Sequence, residues 1–181
     1  MQSTKHLGES GATMPSIVVT GGTRMRGTVR VSGAKNSALK LMAASLLAPG
    51  ASVIHNAPDI ADVSTMAEVL GGLGVTVSRH GGTLIVDATE IRSHEAPYDL
   101  VAQMRASIVV LGPLLARLGR ARVAMPGGCN IGSRKIDLHL RGLADLGVHI
   151  ASEHGYIQAE APYGLRGASI VLDFPLSLIH I

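Results

Sequence analysis

From Ile17 onward, apolar and polar positions follow two alternating periods, and their order predicts the elements. Ile17-Val18-Val19-Thr20 and Thr28-Val29-Arg30-Val31 read as short strands joined through the turn-rich Gly21-Gly22-Thr23. Apolar residues at Leu39, Met42, Ala43, Leu46 and Leu47 recur at helical spacing, and Pro49-Gly50 stops that pattern. Ser52-Val53-Ile54-His55 predicts a strand, Asn56-Ala57-Pro58-Asp59 a loop, and Val63 to Leu73 a second helix. Gly74-Val75-Thr76-Val77 and Thr83-Leu84-Ile85-Val86 predict a hairpin around His80-Gly81-Gly82. The order is helix, strand, helix, strand, strand.

That order recurs. Gly74-Val75-Thr76-Val77 is echoed by Gly147-Val148-His149-Ile150, and Gly82 to Ala88 by Gly155 to Ala161, both at an offset of 73 residues. Upstream, a helix over Asp99 to Leu118 answers the one over Asn36 to Ala48. Arg122-Val123-Ala124 answers Ser52-Val53-Ile54, and Ile136 to Leu146 answers the second helix. Offsets there differ by a few residues, so the connecting loops differ in length. A third copy begins at Ala168-Ser169-Ile170-Val171-Leu172. The two ends fall outside this scheme. Met1 to Ser16 are polar, small and without period, and read as a disordered or mis-annotated N-terminus. Leu176 to Ile181 are apolar and uncapped where a third helix is due, and read as a foreign tail on a truncated chain.

Composition narrows the function classes. With 46% apolar and 16% charged residues, the chain is neither a disordered segment nor a polyelectrolyte, and one Cys excludes a disulfide scaffold or a thiolate metal cluster. The longest charge-free stretch, Leu41 to Pro58, is interrupted by Pro49-Gly50, so a membrane span and a secretory signal are not expected and the expected location is cytoplasmic. Of 16 cationic residues 12 are Arg, and they are scattered; three Tyr, one Phe and no Trp leave no aromatic platform for nucleic acid. A forked guanidinium suits phosphate and carboxylate instead. The His residues show no metal-ligand spacing, so no metal site is expected.

Four constellations could carry chemistry. Ser32-Gly33-Ala34-Lys35-Asn36 stands at a strand-to-helix junction, where a Lys opposes the positive helix end unless an anion sits between them; the alternative is a surface Lys bending into water. Pro126-Gly127-Gly128-Cys129 opens a Gly-rich loop with Arg134 and Lys135 downstream, surroundings that favour a thiolate; the alternative is a buried, inert thiol. Arg105 is a charge in mid-helix before eleven uncharged residues, and either lines a cleft or snorkels outward. Arg134-Lys135-Ile136-Asp137-Leu138 puts cations at another helix start, with Asp137 free to accept from a base or sugar or to cap the helix.

Ser32-Gly33-Ala34-Lys35-Asn36, Met104-Arg105-Ala106-Ser107, Pro126-Gly127-Gly128-Cys129 and Asp137-Leu138-His139 together resemble the bacterial UDP-N-acetylglucosamine 1-carboxyvinyltransferases, enolpyruvyl transferases that open the peptidoglycan pathway. The resemblance runs from Ile17 to Pro175 in the right order. The sister family that makes 5-enolpyruvylshikimate 3-phosphate shares the fold but typically lacks the Cys loop and the Gly-Ala-Lys-Asn form of the first motif. The resemblance implies an α/β fold, an inside-out α/β barrel built of βαβαββ repeats and here truncated. Residues 17–34 would open the second lobe, and 35–175 would make about two of three units of the first. It also implies transfer of the enolpyruvyl group from phosphoenolpyruvate to the 3′-hydroxyl of UDP-N-acetylglucosamine, with no cofactor. Lys35 and Asn36 match the segment that contacts phosphoenolpyruvate and the sugar, and Arg105 a cleft Arg. Cys129 matches the loop acid that protonates the methylene carbon. Arg134, Lys135, Ile136, Asp137 and Leu138 match the stretch that holds the UDP-sugar. The general base and the rest of the facing lobe would belong to a missing C-terminal portion of the same chain. A non-catalytic anion-binding or thiol-regulatory domain on the same repeat is the alternative.

Overall fold

The computed structural model describes residues 18–22, 24–125 and 136–171. Two units are distinguished, Met1–Val31 and Ser32–Ile181. The described part of the first contains no strand, against the expectation for Thr28 to Val31. A strand exists only as one side of a hydrogen-bonded pair, and no described residue pairs with this stretch. Residues 1–17 and 172–181, with the readings placed on them, lie outside the described residues, and Ala168 to Val171 form no strand.

The second unit is the duplicated pattern. Helix α1 (Lys35–Ala44) runs into a 3-10 turn (Ser45–Leu47), followed by β1 (Ala51–Ile54), α2 (Ala61–Gly72), β2 (Thr76–His80) and β3 (Thr83–Asp87). The second copy comprises α3 (Tyr98–Gln103), a 3-10 segment (Arg105–Val110), α4 (Leu111–Leu118), β4 (Arg120–Ala124), α5 (Asp137–Asp145), β5 (His149–Glu153) and β6 (Tyr156–Glu160). Each copy folds a three-stranded antiparallel sheet with its last strand in the middle, in the orders β1-β3-β2 and β4-β6-β5. The strand that would open a six-element repeat is reduced, in the second copy, to one parallel bridge between Glu95 and Arg122.

The likeness extends to single hydrogen bonds. Helix α2 ends on Gly74 at φ +91°, with Gly74 N–H donating to Gly71 O (2.9 Å) and Val75 N–H to Leu70 O (3.0 Å). Helix α5 ends on Gly147 at φ +90°, with Gly147 N–H to Ala144 O (2.9 Å) and Val148 N–H to Leu143 O (3.1 Å). Both are Schellman caps, which need a left-handed residue that glycine supplies without Cβ strain. Such a cap turns the chain sharply into the hairpin, so its sequence spacing is also the spacing of the repeat.

Burial follows from the two periods. In α1, Ala38, Leu39, Met42 and Ala43 are buried, one stripe at helical spacing that continues to Leu46, while Leu47 is 52% exposed and outside the core stripe expected for it. In the central strands Leu84 and Val86, and in the second copy Ile157 and Ala159, alternate inward. Helices of the two copies pack on one another, α1 against the 3-10 segment 105–110 and α4 against the turn 45–47, with each sheet behind its own helices. This is the layering of helices within and sheets outside that an inside-out α/β fold requires.

The single helix expected over Asp99 to Leu118 is instead three pieces. Met104 is extended (φ −132°, ψ +106°), and the buried Ser107 donates its hydroxyl to the Met104 carbonyl. A side chain that bonds a carbonyl one turn back competes with the helical ladder. Pro113 excludes an uninterrupted helix as well, since it has no N–H for the carbonyl four residues earlier; in the first turn of α4 that loss costs nothing. Arg105 therefore opens a short 3-10 segment and is not a mid-helix charge.

Candidate functional site

The N-terminus of α1 is placed by a close approach of backbones. A Cβ on Gly33 would overlap the carbonyl of Asn56, so the Ser32-Gly33-Ala34 segment lies directly on the loop between β1 and α2. That loop is tied to the β2–β3 turn. Ala57 N–H donates to Gly82 O (2.7 Å), Arg79 donates Nη2–H to Pro58 O (3.0 Å), and His55 Nδ1 lies 3.3 Å from Thr83 Oγ1. Asn56 takes a left-handed conformation, φ +55°, which an Asn side chain tolerates.

On this platform Lys35 and Asn36 are the first two residues of α1, both exposed. No side chain caps α1 at Ala34, so its first amides project beside Lys35 without a side-chain acceptor. The Lys35 ammonium meets Asp62 Oδ2 at 2.5 Å, and Asp62 stands in the first turn of α2. The cation at the helix start thus already has a counter-anion, supplied by the chain, so its placement does not by itself call for a bound one. A carboxylate in the first turn of α2 is itself favoured by that helix's dipole. Asp62 was not singled out in the sequence, where an acidic residue near a helix start reads as ordinary first-turn bias.

The other expected residues divide into three groups. Arg105 begins the 3-10 segment that packs on α1, so its element joins the one that carries Lys35 and Asn36. Ile136, Asp137 and Leu138 open α5. Ile136 is buried, so any ligand contact there runs through its backbone, while Asp137 is exposed in the first turn and makes no capping hydrogen bond, against the alternative reading for it. Leu138 lines an apolar cleft of about 340 Å³ between α5 and the stretch Ile108 to Gly112. Cys129, Arg134 and Lys135 lie outside the described residues. Among the described residues no three His, Cys, Asp or Glu side chains gather to hold a metal ion, and no helix is long and apolar enough to cross a membrane.

Comparison with known proteins decides the family. The sequence pattern of EPSP synthase (3-phosphoshikimate 1-carboxyvinyltransferase) matches residues 19–179. The chain belongs to that carboxyvinyltransferase family. Among curated relatives it is 52% identical over 160 residues to the UDP-N-acetylglucosamine 1-carboxyvinyltransferase of Trichlorobacter lovleyi, covering 88% of this chain and 38% of the relative. It is 54% identical over 162 residues to the enzyme of that name from Desulfosudis oleivorans, covering 90% and 39%. The chain thus spans about two fifths of the length of these relatives. Among solved structures, the enolpyruvyl transferase NikO from Streptomyces tendae superposes with a TM-score of 0.68 at 30% identity, over 80% of this chain and 32% of that one. EPSP synthase from Acinetobacter baumannii superposes with a TM-score of 0.64 at 15% identity, over 84% and 36%, which is a likeness of fold. The α/β, enolpyruvyl transferase-like fold expected from the motifs is therefore the fold of this family.

Proposed function

We propose that this chain is the part of a UDP-N-acetylglucosamine 1-carboxyvinyltransferase that receives phosphoenolpyruvate and the UDP-sugar, in the first committed step of peptidoglycan synthesis. Its place would be the cytoplasm, where cell-wall precursors serve growth, division and cell shape. The observation that carries the reading is identity above one half, over nearly nine tenths of this chain, with curated proteins of that name. The Gly-Ala-Lys-Asn and Cys-loop motifs support this acceptor over shikimate 3-phosphate.

The chemistry asks little of the protein beyond placed charge and one proton. Protonation of the methylene carbon of phosphoenolpyruvate leaves cationic character on its neighbour. The 3′-hydroxyl adds there as it gives up its proton, and the tetrahedral ketal then loses phosphate together with a proton from its methyl group, which restores the carbon–carbon double bond. In this reading Cys129 gives the proton, and Lys35, with the uncapped amides of α1, holds the phosphate as charge develops. Asn36 and Arg105 orient the two substrates in the cleft. Arg134, Lys135, Ile136, Asp137 and Leu138 hold the UDP-sugar, and the base that takes the hydroxyl proton comes from the remainder of the protein.

A chimaera tests this directly. With residues 19–171 exchanged into the Trichlorobacter lovleyi relative, phosphate should be released from phosphoenolpyruvate only when UDP-N-acetylglucosamine is present. Lys35→Ala should abolish turnover with far-UV circular dichroism unchanged. Cys129→Asp should retain a proton donor while losing covalent labelling by a small epoxide, read by intact mass. A folded chimaera without acceptor-dependent phosphate release, or one indifferent to Lys35→Ala, would refute the reading.

A further inference from the structure

The Lys35–Asp62 pair brings to Lys35 a partner that lies outside all four sequence motifs. Two helices, α1 and α2, pack against each other, and the pair joins their first turns. Each end of the pair is held from behind. Gly33 seats the start of α1 on the Asn56 carbonyl, and the loop that leads to Asp62 is fastened to the β2–β3 turn through Ala57 and Arg79. Asp62 is thus a fixed acceptor, whereas Lys35 carries its ammonium on a flexible four-carbon stem and is half exposed.

An unheld lysine at a helix N-terminus is driven outward by the dipole, away from the amides beside which an anion would sit. Asp62 opposes that drift. An ammonium has three donors, and one bond to Asp62 leaves two for another acceptor. We propose that Asp62 is the positioning residue of Lys35: it holds the ammonium at the mouth of α1 so that an arriving phosphate or phosphate monoester finds the cation in place. The proposal rests on the reading of Lys35 as a phosphate ligand. It makes Asp62 an aid to anion binding and not a competitor, although the two carry charge of the same sign.

Amine reactivity in the 181-residue chain provides the test. The chain has four lysines, and Lys40, exposed on the same helix α1, serves as the internal reference for acetylation at Lys35 followed by peptide mass spectrometry. Asp62→Asn should raise the Lys35 rate about two- to fivefold relative to Lys40, the range expected for an exposed ion pair. It should also raise, by about the same factor, the concentration of inorganic phosphate needed to protect Lys35. Asp62→Glu should restore both. An unchanged Lys35 rate in Asp62→Asn means that the pair holds nothing, and overturns the proposal. A raised rate with unchanged or tighter phosphate protection makes Asp62 a competitor, and overturns it equally. Absence of phosphate protection in the unsubstituted chain removes the phosphate-ligand reading of Lys35 and the positioning role with it. That result is recognised separately, because the rate response to Asp62→Asn survives it.

Discussion

Single residues in this chain matter most where a backbone or a charge has nowhere else to go. Gly33 is needed for space, because any Cβ meets the Asn56 carbonyl, whereas Gly142 lies within α5 with open space around its missing Cβ. Gly33→Ala should cost about 1–3 kcal/mol, the range for forced backbone shifts, and Gly142→Ala should stabilise by about 0.5–1 kcal/mol through helix propensity. Urea midpoints that move in the same direction for both would refute the assignment. Asp87, at the end of β3, accepts the Thr89 hydroxyl at 2.6 Å and the Thr89 amide at 3.0 Å, which together hold its carboxyl below the usual value of 3.8. Because the folded value is the lower one, the stabilisation is present above pH 3.8 and fades as pH falls through the folded value. Thr89→Ala removes the larger of the two causes. The Asp87 midpoint followed by carboxyl-carbon NMR should rise toward 3.8, and a stationary midpoint would mean that the hydroxyl bond is absent in solution.

At the scale of elements, sequence pattern was reliable where local bonds make the element and unreliable where a neighbour unmakes it. The five helix and strand segments of the first copy, four of those of the second and both hairpins were legible because a Schellman glycine, a two-residue turn and an alternating strand declare themselves within a few residues. The break at Met104 was not. Its apolar spacing continues the helical period, and only the buried hydroxyl of Ser107, bonded to the Met104 carbonyl and 3.3 Å from Val101 O, shows what ends α3. Ser107→Ala should therefore lower the melting temperature with a loss of about 0.5–1.5 kcal/mol, the net worth of one hydrogen bond, because backbone amides of Ser107 and Met104 still donate to the Met104 and Val101 carbonyls. A melting curve superimposable on that of the unsubstituted chain would mean that the hydroxyl does not hold the break. Segment 94–96 is joined to β4 in a comparable way, through Arg122, which bonds Glu95 at 2.7 Å and stacks 3.8 Å over the Tyr156 ring. Neither partner is near Arg122 in sequence, so this seam had no signal there.

In the Ser32–Ile181 unit the two copies are not equally covered. Helix α2 buries Val63, Met66, Val69 and Leu70 between α1 and α3, whereas α5, its counterpart, has no buried residue and forms one wall of the apolar cleft with Leu138 and Leu143. Apolar surface of this kind attracts hydrophobic dyes. The 181-residue chain should enhance anilinonaphthalene fluorescence, and Leu138→Gln should reduce the signal while changing stability by less than about 0.5 kcal/mol, as surface substitutions do. Undiminished fluorescence would place the dye elsewhere.

What the amino-acid order settled by itself is the repeat, its helices, strands and turns, and, through four short motifs, the family. These rest on bonds between residues close in the chain and on side-chain periods that any observer of the order can count. Tertiary structure decided the rest. It determined that Thr28 to Val31 forms no strand, that Asp99 to Leu118 is three pieces, that α5 is only partly buried among the described residues, and that Lys35 meets Asp62 from the next helix. Each depends on which groups are brought together from distant positions. A strand needs a partner, a buried face needs a neighbour, and a cation's surroundings are set by whichever charge the fold delivers to it.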